Sequence, residues 1–184
     1  MIEKKMLNRS YQYTWSICHN WALIQTTSLM RKSELLQTIS PLIADAYSLS
    51  ISLALLQGAQ GLSEFNRLIR QSIEDLPGLY LWENNDNEEI VYIGMAGKVN
   101  QEGLIVSHTV RNRMQASRKK EPVTQKDITT NKYLRDFMSQ HEINQVNIHV
   151  VHLIQGQLPS YAEAILMNAF YQRNGILPRL NKAF

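Results

Sequence analysis

Tyr80 and Tyr92 lie in two short runs, Gly78-Leu79-Tyr80-Leu81-Trp82 and Ile90-Val91-Tyr92-Ile93-Gly94, separated by a polar patch from Glu83 to Glu89. Runs rich in β-branched and aromatic residues on either side of Asn, Asp and Glu read as a β-hairpin. Side chains alternate along a strand, so Tyr80 and Trp82 project to one face and Leu79 and Leu81 to the other. Pairing Trp82 with Ile90 puts Tyr80 opposite Tyr92, two phenols side by side on one face. As an ordinary aromatic pair they would stabilise the hairpin by roughly 0.2–1 kcal/mol. As proton carriers they start from a pKa of about 10, so a phenolate at neutral pH costs ~4 kcal/mol unless nearby cations lower it.

Cations are plentiful further along. Arg111, Arg113, Arg118, Lys119, Lys120, Lys126, Lys132 and Arg135 fall between 111 and 135, against only Glu121 and Asp127. Such a local excess is the footprint of a polyanion-binding surface, or else a solvated helix face. Glu163 recurs at helical spacing with Met167 and Phe170, which leans it toward the core side, although Ser160-x-x-Glu163 also reads as a capping box. The histidines suggest little: His149 and His152 lie three apart on a strand and face opposite ways.

The elements that must position these groups follow from periodicity and punctuation. Residues 1 to about 75 read as helical, with a first helix over roughly 11–30 carrying Trp15, Cys18, Leu23 and Ile24. A second helix ends near Thr38. Ser40-Pro41 opens a third that stops at Gly58, although Tyr47 to Leu53 also alternates with the period of a strand. A helix from about Ser63 to Glu74 is broken by Pro77-Gly78. After the hairpin come a glycine-containing loop around Lys98, a basic helix from about Ser107 to Lys119, a helix from Asn131 to His141, a strand from Val146 to Ile154 and a last helix from Ser160 to about Arg173. The order from residue 78 is β-β-α-α-β-α. This is an α+β class, with a small three-stranded mixed or antiparallel sheet flanked by helices, divided as a helical extension over 1–76 and a domain over 77–184.

Composition allows one such domain plus its extension: 184 residues, 44% hydrophobic and 8% aromatic, enough for a core and too rich for disorder. Formal net charge is only +3, so the distribution of charge is more informative than its sum. The single cysteine, Cys18, excludes an intramolecular disulfide and a Cys-based zinc site and fits a reducing, cytoplasmic setting. The first residues lack the apolar segment of a signal peptide, and no uncharged apolar run is long enough to span a bilayer.

This order, with Gly78-Leu79-Tyr80 on one strand and Tyr92-Ile93-Gly94 on the next, resembles the GIY-YIG nuclease family. Arg113 in Val110-Arg111-Asn112-Arg113-Met114, Glu163 in Ser160-Tyr161-Ala162-Glu163 and Asn181 in Pro178-Arg179-Leu180-Asn181 fall where the family places an arginine, a glutamate and an asparagine. The resemblance covers about residues 78–184. It departs at Leu79, which replaces isoleucine, in a loop longer by about ten residues before Arg113, and at Ser117, where many members carry histidine or tyrosine. The resemblance implies a Mg²⁺-dependent DNA endonuclease, with Mn²⁺ a possible substitute. In it Tyr80 is the general base, oriented by Tyr92 and aided by Lys98; Arg113 clamps the phosphate, and Glu163 holds the metal. The remaining basic residues, Arg111, Arg118, Lys119, Lys120, Lys126 and Lys132, then contact the DNA backbone. A nuclease domain at the C-terminal end of a short chain leans toward a restriction-type enzyme, and cutting both strands with one site per chain implies a homodimer. The rival expectations are a nucleic-acid-binding module of the same fold without turnover and a repair or recombination nuclease that reads branched DNA.

Overall fold

A computed structural model describes residues 30–106, 108–120 and 125–182. The helix expected over 11–30 lies outside them, except for Met30, which is buried. A short helix α1 (Lys32–Gln37) leads through a 3-10 turn at Ser40–Leu42 into strand β1 (Ile43–Ser52). Helices α2 (Leu53–Gln57) and α3 (Gly61–Ser72) follow, then the hairpin of β2 (Gly78–Asn84) and β3 (Glu89–Ala96). Two small ribbons, β4 (Lys98–Val99) with β5 (Ile105–Val106) and β6 (Ser117–Lys120) with β7 (Asp127–Thr129), bracket helix α4 (Val110–Gln115). Helix α5 (Thr130–Gln140), strand β8 (Gln145–Leu153) and helix α6 (Pro159–Asn174) complete the order.

The main sheet has four antiparallel strands in the order β1-β8-β2-β3, one more than the three expected. The extra strand is β1, where a helix from Pro41 to Gly58 was expected. Here the period-two alternation prevails over the helical spacing of Leu49, Leu53 and Leu56. Leu49 and Ile51 enter the core while Ser48 and Ser50 stay on the opposite face, bonded to His149 and Asn147. Pairing along the edge of β8 supplies the backbone partners that make the strand the better state. The fold class is α+β, as expected.

The sheet divides the core in two. One face carries Tyr80, Trp82, Val146, Ile148 and Val150 under α2 to α5, which contribute Leu56, Phe65, Ile69, Val110, Met114, Leu134, Phe137 and Met138. The other carries Leu79, Leu81, Ile93 and Val151 under Leu35 of α1 and Ala162, Leu166, Met167 and Phe170 of α6. Residues before 77 thus share a sheet and a core with those after it. Every residue of β2 is buried, and its apolar run from Leu79 to Trp82 suits a central strand covered on both sides. Gly78 has to be glycine, because a Cβ there would collide with the carbonyl oxygen of Val151 on β8.

Two further corrections bear on the site. The hairpin pairs Trp82 with Tyr92 and Tyr80 with Gly94, not Trp82 with Ile90. Glu83 pairs with Ile90, so Val91 is an extra residue, a bulge that shifts the register. The basic segment is not one helix from Ser107 to Lys119. Helix α4 stops at Gln115, Ala116 turns extended with φ −77° and ψ 166°, and β6 then pairs with β7. The Ala116 carbonyl accepts a bond from the Thr130 amide at 3.1 Å, so the chain leaves the helix into a ready partner.

Candidate active site

β3 is an edge strand, and its outward backbone groups are satisfied by side chains and tail, not by another strand. The Leu180 amide donates to the Val91 carbonyl at 2.9 Å. Asn181 completes both bonds of Ile93, its Oδ1 accepting from the Ile93 amide at 3.0 Å and its Nδ2 donating to the Ile93 carbonyl at 2.7 Å. The Met95 amide donates to the Glu163 carboxylate. Three successive outward positions of one strand thereby tie the tail and the start of α6 to the same edge. Asn181 is fully engaged with main chain, and its role is to hold β3 in place.

On the sheet face above this edge, the bulge still leaves Tyr80 and Tyr92 as diagonal neighbours, with ring centroids 5.7 Å apart and planes 28° from parallel. Gly94 makes the arrangement possible. A Cβ at 94 would lie 2.6 Å from Tyr92 Cε1, 2.9 Å from its hydroxyl and 3.0 Å from Tyr80 Cζ. Tyr80 is fully buried at 1% exposure, whereas Tyr92 reaches a cleft. Burial above all, then the neighbouring Tyr80, raises the Tyr92 pKa above the ordinary tyrosine value, and Arg118 opposes the rise.

Arg118 is the residue that sequence reasoning placed least well. Its position on β6 carries the guanidinium over the phenols. Nη1 donates to the Tyr80 hydroxyl at 3.2 Å and the Tyr92 hydroxyl at 3.1 Å, and Nε donates to Thr130 Oγ1 at 3.1 Å. The guanidinium carbon lies 4.9 Å from the Trp82 ring centre, 5.1 Å from that of Tyr92 and 5.4 Å from that of Tyr80, within cation–π range of all three. Nothing in the sequence signals this, because it depends on α4 ending at Gln115.

Arg113 lies between two openings. One, of about 270 Å³, is lined by Tyr92, Arg113, Arg118, Tyr133, Leu180 and Lys182. The other, of about 300 Å³, is lined by Met95 to Lys98, His108 and Arg113. Lys98, exposed on β4, therefore shares an opening with Arg113. Glu163 is half-buried, and that burial raises its pKa above the ordinary carboxylate value, opposed by the Met95 amide and the charge of Arg113. It is not a helix cap: α6 starts at Pro159, and no side chain caps its first turn.

No family model, curated protein or solved structure matches the chain.

The other basic candidates are dispersed. Arg111 donates from Nε to the Ile73 carbonyl at 2.7 Å, tying α4 to the end of α3 beside Tyr47 and Glu74. Lys132 pairs with Asp136 at 2.6 Å on the exposed side of α5. Lys119 and Lys120 lie on β6 opposite Ile128 and Asp127, and Lys126 is exposed just before β7. Ser117 is exposed at the start of β6. Among the described residues no three His, Cys, Asp or Glu side chains gather as a metal cluster, and no helix is long and apolar enough to cross a membrane. Lys182 and Tyr133, which complete the cleft at Tyr92, were not singled out by sequence, since a tail lysine and a helix tyrosine carry no motif.

Proposed function

We propose that this chain is a Mg²⁺-dependent DNA endonuclease of the GIY-YIG type, most simply a restriction-type enzyme acting as a homodimer. The observation that carries the reading is the convergence on one strand edge of groups from separate segments. A phenol pair lies on β2 and β3, and Tyr92, Arg113 and Arg118 line one cleft; Glu163, from α6 on the other sheet face, meets the same edge at Met95 within the field of Arg113 but lines neither opening.

Hydrolysing a phosphodiester requires a proton acceptor for the attacking water, positive charge at the phosphoryl oxygens and help for the leaving oxygen. The phenol pair takes the water proton, and Tyr92 is the member that meets the cleft. Arg113, free of any carboxylate bond among the described residues and lining both openings, neutralises the phosphoryl oxygens with a planar fork suited to them. Glu163 fits a Mg²⁺ site, because that ion is commonly held by one or two carboxylates with substrate phosphate and water completing its shell. Half-burial keeps this carboxylate short of solvation, the condition in which a bound cation gains most, and the Met95 amide fixes one side of it. When bound there, the ion would stabilise the leaving oxygen as a Lewis acid. Asn181 keeps β3, and with it Tyr92 and the Met95 amide, at a constant position.

The test is incubation of a large linear DNA with the protein in Mg²⁺ and in EDTA. Discrete bands in Mg²⁺ alone support a restriction-type enzyme. Cleavage only of a flap or junction substrate redirects the reading to a structure-specific nuclease. Binding without cleavage of any of these leaves a DNA-binding module and overturns the enzyme.

A further inference from the structure

The site holds a cation that the nuclease reading above does not need for phosphate binding. Arg118 is half-buried, forms no ion pair among the described residues, and spends both hydrogens of Nη1 on the two phenol oxygens. Its Nη2 is buried with no hydrogen-bond acceptor among the described residues. Thr130, itself fully buried, anchors Nε and donates in turn to the Ala116 carbonyl at 2.9 Å, which locks the guanidinium to the turn it comes from. A partly buried positive charge with only neutral partners is costly. Among the described residues, the groups it contacts that are able to become negative are the phenols.

We propose that Arg118 is a positioning residue for the Tyr80–Tyr92 pair: it holds both oxygens on one nitrogen and offsets part of the charge that appears when one of them is deprotonated. The proposal rests on the nuclease reading for its consequence, but the arrangement of the three side chains stands apart from it. In the reaction the pair first loses a proton to solvent. The phenolate oxygen then takes a proton from the attacking water, the water oxygen bonds to phosphorus, the ester P–O bond breaks, and the leaving oxygen is protonated from solvent. Arg118 keeps its charge throughout. Tyr92 is the oxygen that meets substrate, and Tyr80 is the buried partner that shares the guanidinium. The charged and titratable groups facing this pair are Arg113 from α4, Arg118 from β6, Tyr133 from α5 and Lys182 from the tail.

This differs from a role in gripping the DNA backbone, and the two are separable. In Arg118→Met the Cζ resonances of Tyr80 and Tyr92 in protein labelled at tyrosine Cζ, assigned at neutral pH with Tyr80→Phe and Tyr92→Phe, both shift from their wild-type positions, because the donor they share is gone. Arg118→Lys keeps a charge without the shared fork and recovers part of that shift. This measurement uses no DNA, so it stands or falls independently of the nuclease reading. If wild type cleaves DNA, Arg118→Met lowers kcat about 100-fold or more, moves the rising limb of the pH–rate profile to higher pH and leaves KM within about twofold. Unmoved resonances of both phenols overturn the proposal. So does a variant whose loss lies in KM, with a shallower salt dependence of binding and an unchanged pH profile, because that is the signature of a phosphate contact. Wild-type protein that never cleaves, with the phenol shift present, overturns the nuclease reading and leaves the clamp intact.

Discussion

Gly94→Ala tests whether the phenol pair is a built feature or an accident of two strands meeting. The added Cβ would stand 2.6 Å from Tyr92 Cε1 and 3.0 Å from Tyr80 Cζ, where carbon atoms rest at about 3.5–4.0 Å. One or both rings must therefore recede by close to 1 Å, an estimate from those contact limits. The Tyr80 ring is fully buried beneath α4 and α5, so it has little room to do so. Displacement on this scale takes the hydroxyls away from Arg118 Nη1, whose bonds now measure 3.1 and 3.2 Å. Overpacking of this kind costs about 1–3 kcal/mol, or a fall in Tm of roughly 2–12 °C for a chain of this size. Thermal melts with Gly58→Ala as control provide the assay. A Cβ at Gly58 meets only carbonyl oxygens at 3.5 and 3.7 Å, so that variant should melt within about 2 °C of wild type. Cleavage, measured on the same preparations at a temperature where both are folded, should fall about 100-fold for Gly94→Ala alone. Wild-type stability together with unmoved tyrosine resonances in Gly94→Ala would refute the reasoning.

Other consequences follow from the same contacts. Burial raises the Glu163 pKa above its ordinary 4.5, so this group favours folding below that value and the contribution is lost as pH rises through the folded pKa. Glu163→Gln should accordingly melt higher than wild type at pH 8, with the gap closing toward pH 4 in a series of melts. His149 has the opposite sign: burial first, then the charge of Lys32, depresses it below 6.5, against the attraction of Glu83, which it meets at 3.1 Å. Its contribution is present above pH 6.5 and lost as pH falls, so urea midpoints should drop between pH 7.5 and 5, and His149→Gln should flatten that slope. Asn181→Asp replaces the donor to the Ile93 carbonyl with an acceptor, and should cost about 1–3 kcal/mol in urea denaturation; Asn181→Ala should cost no more.

The hairpin, α5 and β8 were legible because each has a strong period, and α6 because its ends are marked, by Pro159 at its start and the left-handed Gly175 at its end. Tyr80, Tyr92, Arg113 and Glu163 were selected through the resemblance of short motifs, taken together, to the GIY-YIG pattern. What escaped were features decided by partners distant in sequence. Strand β1 competes with a helix on local pattern and is settled by β8, about a hundred residues away. The bulge at Val91 changes which residue faces Tyr80, yet no turn residue announces it. Arg118 looked like one more charge in a basic stretch, because its place depends on the helix breaking at Ala116 and on β7 receiving the strand. Asn181 was picked out by type, but its contact is the main chain of Ile93.

The central claim is that one acid and a phenol–arginine cluster at the edge of β3 cleave phosphodiesters with a divalent ion. The most direct measurement compares wild type with Glu163→Ala on the same DNA, reading binding by mobility shift and cleavage in Mg²⁺. The account predicts that wild type cleaves, that EDTA stops it, and that Glu163→Ala binds with undiminished affinity and leaves the DNA intact. Full cleavage by Glu163→Ala would contradict it.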